Sequence, residues 1–265
     1  LPPNVDYVKL PAMPKRHLYA GLPLADVPPT EHRHIIFVRN AIARATIEAY
    51  RPHLVVIDHA PAGLFRELAE PLAVAVHAVG TTHVRPYDGA LVIGAGTIGL
   101  LTMQVLRLAG VSHVVVSDVS DARLQVARAM GASATINPAT QDFDAMVHEL
   151  TAGDGFDVTF EAVGISAAAG QSVRAVRDRG TAVWIGNNQK VIEIDMQAIV
   201  TRELHVAGTY GMTERDFQRA LRMLSDGRIT VTPLISRRAS LDEGPRLFDE
   251  LLGDPSVIKC VIELP

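Results

Sequence analysis

The 265-residue sequence predicts an α/β fold, a doubly wound parallel sheet with strand order 3-2-1-4-5-6, preceded by a partial α/β segment. Residues 91–110 read as an apolar strand, a glycine-rich turn and an amphipathic helix. A second apolar strand at 114–117 ends at an acidic residue roughly 20 positions beyond the glycines. From residue 90 onward, predicted strands and helices alternate with short connections, which is the pattern of βαβ units.

The individual elements follow from apolar periodicity and from residues that begin or end helices. The helix at 121–130 has Ser120 or Asp121 as its N-cap and Gly131 just beyond its end. The other predicted elements are strands at 134–136, 156–160, 181–185, 204–207 and 257–263, and helices at 143–150, 167–177, 213–225 and 241–252.

The turn after the first strand, with the sequence GAGTIG, is a dinucleotide-binding signature of Rossmann folds. Gly94 allows a tight turn, Gly96 lets the backbone approach a pyrophosphate, and Gly99 lets the helix pack closely on the strand. Thr97 and Ile98 begin the helix, whose first N–H groups are free to bind an anion. The alternative is a buried strand and helix that a glycine turn joins by coincidence.

Asp118, at the end of the second strand, is placed to accept hydrogen bonds from the adenosine ribose hydroxyls. A 2′-phosphate about 4 Å from this carboxylate would meet a repulsion of several kcal/mol at an effective dielectric constant of about 20. The predicted cofactor is therefore NAD rather than NADP. Arg123, in the next helix, is expected to lie along the adenosine.

The nicotinamide side of the cofactor is expected beyond the carboxyl ends of the later strands, where ligands collect in such sheets. Each glycine there has the alternative of merely turning the chain. The residues predicted to line this side are Val163, Gly164, Gly186, Gly208 and Thr209.

Composition restricts the class of partner. A net charge of −4 and a pI near 6.2, with no basic run, predict neither a nucleic-acid partner nor a membrane surface. The single cysteine, Cys260, excludes an internal disulfide framework and a cysteine-rich zinc lobe, and it favours a cytoplasmic location. Because the chain begins with Leu1 and shows no signal-type start, we expect an excerpt of a longer chain.

From residue 70 onward, the sequence resembles the coenzyme domain of the zinc-dependent medium-chain dehydrogenases, nearest to the sorbitol and threonine dehydrogenase branch. The resemblance implies NAD as cofactor, a small alcohol or polyol as substrate, and oxidation by hydride transfer. It also implies that Asp118 and Arg123 hold the adenosine ribose and that Glu70 lies at or near a catalytic zinc. A homodimer through the last strand of the sheet, around 204–209, is a further implication. The matching stretches, besides 91–110, are 70–74, 117–124, 129–133, 155–158, 161–164 and 258–261.

The sequence departs from that family upstream. The family's catalytic domain carries a cysteine and a Gly-His-Glu metal motif, and the expected zinc ligands are not found here. Glu70 remains as the predicted catalytic residue, without partner ligands. His32 and His34 read as solvated polar residues rather than as a metal pair, so no metal ligand is predicted.

Residues 1–69 form a separate predicted segment and resemble the N-terminal domain of a glycosyltransferase family with two Rossmann-like domains. The resemblance rests on residues 5–11, 42–52 and 54–64, which are predicted to contain a strand at 5–10, a helix at 35–50 and a strand at 54–58. Asp58 and His59 could form an acid–base pair, although polar residues are common at strand ends.

Three functional hypotheses follow. The first is an NAD-binding oxidoreductase of the alcohol or polyol dehydrogenase type whose catalytic zinc domain is missing or replaced. The sequence then supports cofactor binding more strongly than catalytic turnover. The second is a non-catalytic NAD-binding or dimerisation module. The third is a fragment of a glycosyltransferase, which predicts affinity for a sugar nucleotide.

Overall fold

Six parallel strands form one sheet in the order β3-β2-β1-β4-β5-β6 in the computed structural model of the chain. The structure describes residues 66–240, 243, 254 and 256–263. The order confirms the sequence prediction, and neighbouring strands pair in parallel throughout. The strands are β1 (Gly89–Ile93), β2 (His113–Ser117), β3 (Ala134–Ile136), β4 (Phe156–Glu161), β5 (Val176–Trp184) and β6 (His205–Gly208).

Helices cover both faces of this sheet, because the central strands bury successive side chains on opposite sides. In β1, Ala90 and Val92 join one apolar cluster, whereas Leu91 and Ile93 join the other. The first cluster includes residues of α1, α2, α3 and α7, and the second includes residues of α4 and α5. The helices are α1 (Arg66–Thr81), α2 (Thr97–Leu108), α3 (Asp121–Ala129), α4 (Phe143–Leu150), α5 (Ser166–Ala175), α6 (Met196–Thr201) and α7 (Glu214–Ser225).

The predicted ends of α3 are confirmed. Its N-cap is Ser120, whose side chain accepts a hydrogen bond from the Arg123 amide. Gly131 has a φ of +100°, the left-handed conformation that ends a helix with little cost in glycine. Local sequence therefore determines where this helix begins and ends.

The connection between α5 and β5 differs from the prediction of a helix to residue 177 and a strand from 181. The helix ends at Ala175, and β5 already begins at Val176, which pairs with Phe156 before the register shifts. Arg179 lies between the two paired stretches with a φ of +58°. Apolar periodicity extended the helix too far because pairing with β4 decides where it ends.

Several elements were not predicted. These are the continuous helix α1, the short helix α6, a 3₁₀ turn at Thr232–Leu234, and β7 (Ile235–Ser240), which pairs in parallel with β8 (Lys259–Glu263). The expected boundary between residues 69 and 70 lies within α1 and stays a prediction. The predicted elements at 5–10, 35–50 and 54–58 lie outside the described residues, as does all but one residue of that at 241–252. In the part of the chain that the structure describes, no helix is both long enough and apolar enough to span a membrane.

Candidate dinucleotide-binding site

The glycine turn between β1 and α2 has the geometry that its sequence predicts. Gly94 has a φ of +102°, and its amide donates to the Ser117 carbonyl at 2.7 Å. A Cβ at Gly99 would lie 1.8 Å from the Gly94 carbonyl oxygen, so only glycine fits there. A Cβ at Gly96, the N-cap of α2, would meet no atom within 4 Å. The turn is therefore tightly packed below and open where a phosphate would approach.

Thr97 and Ile98 lie in the first turn of α2, half-buried beside this opening. The Thr97 hydroxyl donates to the Ile258 carbonyl at 3.3 Å. A segment close to the end of the chain therefore lies against the start of α2. Its neighbour Val257 accepts a hydrogen bond from Arg123 Nη2 at 2.8 Å.

Asp118 follows β2 and is bound directly to the glycine turn. Its Oδ2 accepts from the Ala95 amide at 2.7 Å, and its Oδ1 accepts from the Ser120 amide at 2.9 Å. Each carboxylate oxygen has a second lone pair for a ribose hydroxyl. Two backbone contacts thus hold the carboxylate in place beside the expected pyrophosphate position.

The predicted nicotinamide residues Val163, Gly164 and Gly186 lie together beyond β4 and β5. A Cβ at Gly164 would lie 2.3 Å from the Asn187 amide nitrogen, and one at Gly186 would lie 2.0 Å from the Gly164 nitrogen. The two loops therefore touch backbone to backbone. Val163 also contacts the glycine turn, since a Cβ at Gly94 would lie 2.8 Å from Val163 Cγ2.

Glu161, the last residue of β4, lies beneath these loops and was not predicted as a site residue. Its side chain is 1% exposed, and Oε1 accepts from the amides of Val163 and Gly164, each at 2.7 Å. Burial raises the pKa of the Glu161 carboxyl, and hydrogen bonds from the amides of Gly164, Val163 and Gly186 offset part of that rise. The available signal was an acid closing an apolar strand, the same position that Asp118 has after β2.

Gly208 and Thr209 lie at the end of β6, the edge strand on this side of the sheet. Gly208 pairs with Trp184, and the Thr209 amide donates to the Trp184 carbonyl at 2.9 Å. The Thr209 hydroxyl is buried and has no hydrogen-bond partner among the residues that the structure describes. An unpaired buried hydroxyl costs free energy, so a ligand atom that reached it would be favoured.

The residues present fit a dinucleotide. The crevice combines an open helix N-terminus, a fixed carboxylate and two buried polar atoms, Arg123 Nε and Thr209 Oγ1, that lack hydrogen-bond partners within the described part of the chain. These two atoms belong to residues predicted for the opposite ends of the cofactor. If a nicotinamide dinucleotide bound here, Asp118 and Arg123 would be its predicted contacts at the adenosine end, and Val163, Gly164, Gly186 and Thr209 its predicted contacts at the nicotinamide end. The nicotinamide would supply the hydride-accepting ring.

The described residues do not fit a zinc site. Glu70 lies exposed on α1, and nowhere between residues 66 and 240 or in the described C-terminal residues do three His, Cys, Asp or Glu side chains cluster as metal ligands would. A catalytic zinc would have to draw ligands from outside this part of the chain.

A second buried carboxylate that the sequence reasoning missed, Asp216, joins α7 to α1. Its Oδ2 accepts from the Thr213 hydroxyl at 2.6 Å and lies 2.9 Å from His77 Nδ1. Burial acts to raise the pKa of Asp216, but hydrogen bonds from Thr213 and His77 outweigh it and lower the pKa. The Asp216–His77 pair therefore holds α7 against α1 and is not part of the crevice.

Comparison with known proteins agrees with this geometry. A family profile described as "Zinc-binding dehydrogenase" matches residues 97–226. D-xylulose reductase A from Aspergillus niger is 31% identical over 188 residues, which make up 69% of this chain and 52% of that protein. D-xylulose reductase from Saccharomyces cerevisiae is 30% identical over 203 residues, 75% of this chain and 57% of that protein. The chain thus spans about half the length of the curated relatives it matches.

Solved structures show the same relationship. 2R,3R-butanediol dehydrogenase from Bacillus subtilis superimposes with a TM-score of 0.68 at 30% identity, covering 75% of this chain and 57% of that one. A zinc-binding dehydrogenase from Sinorhizobium meliloti bound to NADP has a TM-score of 0.66 at 30% identity, covering 78% and 61%. An Escherichia coli alcohol dehydrogenase complexed with NADH has a TM-score of 0.68 at 25% identity, again covering 78% and 61%. The described residues therefore form a coenzyme domain of the zinc-dependent medium-chain dehydrogenase type.

Proposed function

We propose that the described domain binds NAD as the coenzyme half of an alcohol or polyol oxidoreductase. One observation carries the proposal: the Asp118 carboxylate is held by the Ala95 amide of the glycine turn, at 2.7 Å. This contact places an acceptor for ribose hydroxyls beside the helix N-terminus that would receive the pyrophosphate.

The same carboxylate supports NAD over NADP. Asp118 is fixed at both oxygens by backbone amides and has no cationic partner in the described part of the chain. A 2′-phosphate at roughly 4 Å would meet repulsion of several kcal/mol at an effective dielectric constant of about 20. Arg123 donates to the Val257 carbonyl and so is partly engaged elsewhere.

An NADH titration of the purified chain beside Asp118→Ala tests this proposal. We expect the variant to lose roughly 1 kcal/mol or more of NADH binding free energy, because an ionised acceptor is removed. NADPH should bind more weakly than NADH to the parent protein. The difference in affinity between the two cofactors should be smaller in Asp118→Ala. Asp178→Ala is the control, since Asp178 pairs with Arg202 near the start of β5. Equal NADH affinity in parent and Asp118→Ala would contradict the assignment.

Alcohol oxidation is the further part of the proposal. Hydride transfer needs the alcohol carbon about 3 to 3.5 Å from the nicotinamide and a group that takes the hydroxyl proton. Glu70 is the residue we propose for that proton, and the named relatives suggest a small polyol as substrate. Oxidation of sorbitol, threonine and secondary alcohols with added zinc measures this activity. Activity that survives Glu70→Gln would remove Glu70 from the reaction.

A homodimer through the edge of the sheet is the second candidate role. β6 lies at the end of the strand order, and the segments before and after β6 in the chain carry exposed apolar side chains. A second copy that paired with this edge would cover them. Light scattering should find a dimer that Val200→Asp weakens and that Tyr87→Asp, at an exposed position before β1, leaves intact. A monomer at all concentrations would contradict it. The exposed apolar residues near the edge are Val191, Met196, Val200, Tyr210 and Met212.

A further inference from the structure

The carboxylate of Glu161 occupies a position that stability alone does not explain. It is almost fully buried, and its partners among the described residues are backbone amides rather than charged side chains. Placing a carboxyl group in such surroundings costs free energy unless its acceptor atoms are used. The amides that donate to Oε1 come from the loop that follows β4, and a glycine of a second loop, Gly186, lies against Oε2.

The first loop is residues 162–165. The amides of Val163 and Gly164 both donate to Glu161 Oε1, which turns this loop over the end of β4. The Ala162 amide donates to the Ile93 carbonyl at 2.9 Å, so the loop also adjoins the strand that leads into the glycine turn. Hydrogen bonds to the Glu161 side chain therefore determine the conformation of this first loop.

The second loop is residues 185–189. The amides of Ile185 and Gly186 donate to the main-chain carbonyl of Glu161 at 2.8 and 3.0 Å. A Cβ at Gly186 would lie 2.6 Å from Glu161 Oε2, so the carboxylate lies directly against this glycine. Both loops therefore contact the same residue, Glu161.

Further hydrogen bonds join the loops to each other. Asn188 Nδ2 donates to the Val163 carbonyl at 2.7 Å, and the Gln189 amide donates to the Gly164 carbonyl at 2.8 Å. The Gln189 side chain accepts from the Ser166 amide at 2.8 Å. The loops therefore form one unit, which we call the paired loops.

We propose that Glu161 is a positioning residue for the nicotinamide half of the cofactor: it holds the paired loops in the arrangement that receives the ring. This inference rests on the proposed function, since Val163, Gly164 and Gly186 are its predicted nicotinamide contacts. Glu161 itself is covered by these residues and does not touch the cofactor. Asp118 has the corresponding role at the adenosine end, where it binds the Ala95 amide and remains half-exposed.

ADP-ribose, which contains the adenosine and pyrophosphate but no nicotinamide, separates the two ends of the site. In Glu161→Gln, an amide nitrogen replaces one acceptor oxygen and brings donors toward the backbone amides. We expect the Kd for NADH to rise about five- to tenfold, the range of one or two lost hydrogen bonds, while that for ADP-ribose changes less than about twofold. The ratio of the two constants is the readout, because a general loss of structure would weaken both ligands together.

Asp157→Asn is the matched control, because Asp157 lies on the same strand and also accepts a backbone amide, that of Gly89. It should leave the ratio unchanged. Asn188→Ala tests the same paired loops from their exposed surface, without a buried substitution, and should raise the NADH constant selectively. It keeps the inference testable where Glu161→Gln does not fold.

The outcomes are distinct. Selective loss of NADH in Glu161→Gln, or in Asn188→Ala where the first variant does not fold, supports the inference. Equal weakening of NADH and ADP-ribose, or no change in either by a folded Glu161→Gln, overturns it. A parent protein that binds ADP-ribose and NADH equally also overturns it, because the nicotinamide half would then contribute nothing. A parent protein that binds neither ligand refutes the proposed function instead.

Discussion

The two ends of the parallel strands differ in how their carboxylates are bound. We call the end where the strands stop the carboxyl edge, and the end where they start the amino edge. At the carboxyl edge, Asp118 and Glu161 accept hydrogen bonds from backbone amides of the loops that follow the strands. At the amino edge, the carboxylates pair with arginines in exposed or half-exposed ion pairs, and one of them, Asp157, also accepts a hydrogen bond from the Gly89 amide. These pairs are Arg177 with Asp157, Arg179 with Glu203 and Arg202 with Asp178.

The difference indicates which edge is built for a ligand. An exposed ion pair neutralises its charge locally and contributes little to stability. A carboxylate that binds only backbone amides fixes the path of a loop. The closest approaches of a Cβ to backbone also lie at the carboxyl edge, at 1.8, 2.3 and 2.0 Å for Gly99, Gly164 and Gly186, whereas a Cβ at Gly155 or Gly180 near the amino edge would lie 2.9 Å from backbone. Precise loops and open space therefore occur together at one edge.

The largest expected effect breaks the turn at the carboxyl edge. Gly99→Ala would place a Cβ 1.8 Å from the Gly94 carbonyl oxygen, a backbone atom that cannot move cheaply. We expect the free energy of unfolding to fall by about 3 kcal/mol and NADH binding to be lost. Denaturant unfolding and an NADH titration measure both. Gly80→Ala, in α1 with no atom within 4 Å of the new Cβ, should be neutral or stabilising.

The second effect concerns pH and distinguishes the buried carboxylate from the exposed ones. Because burial raises the pKa of Glu161 in the folded state above its ordinary 4.5, the folded protein binds more protons than the unfolded chain. Its contribution to stability is therefore present below pH 4.5 and is lost as the pH rises through the folded-state pKa. Glu161→Gln should remove this decline from the plot of unfolding free energy against pH. An unchanged slope in the variant would show that Glu161 does not cause it.

A third prediction uses the unpaired hydroxyl of Thr209. Thr209→Val removes a buried polar atom that has no partner in the free protein, so stability should stay constant or rise by about 1 kcal/mol. NADH affinity should fall several-fold if the nicotinamide end reaches this hydroxyl. Thermal unfolding with and without NADH measures both quantities. A variant that is less stable and binds NADH normally would place the hydroxyl in an ordinary structural role.

The smallest effect is expected at the amino edge. Arg179 and Glu203 form an ion pair with side chains 77% and 65% exposed. Arg179→Ala should change the free energy of unfolding by less than about 0.5 kcal/mol and leave NADH affinity unaltered. A loss of NADH binding in this variant would remove the functional distinction between the two edges.

Sequence reasoning predicted the local geometry of the glycine turn better than that of the loops beyond β4 and β5. Gly94, Gly99, Asp118 and the cap Ser120 all lie within one βαβ unit, so their spacing and chemistry are readable locally. Asp118 was predicted as a ribose ligand, but its bond to the Ala95 amide was not. Roles of the individual site residues stay predictions until a cofactor is titrated.

The nicotinamide end could be predicted only as a set of strand ends. Gly164 and Gly186 were identified singly, whereas their backbone contact and their common support by Glu161 depend on β4 and β5 being neighbours. The prediction of where β5 begins was wrong for the same reason, because Val176, its first residue, pairs with Phe156 of the neighbouring strand β4. Apolar periodicity reports which face of an element is buried, and carries little information on which partner ends it.

The sequence by itself determined the glycine turn and the caps of α3, because these depend on residues within about one helical turn or one strand of each other. The sheet order was predicted from the glycine signature and the alternation of strands and helices, a pattern that is typical of one known arrangement. Tertiary structure alone decided that the Glu161 side chain would be enclosed between the loop that follows it and Gly186 of a second loop, and that His77 would meet Asp216 between α1 and α7. Burial and partner choice are properties of the assembled layers, since a side chain's solvent access depends on elements far from it in the chain.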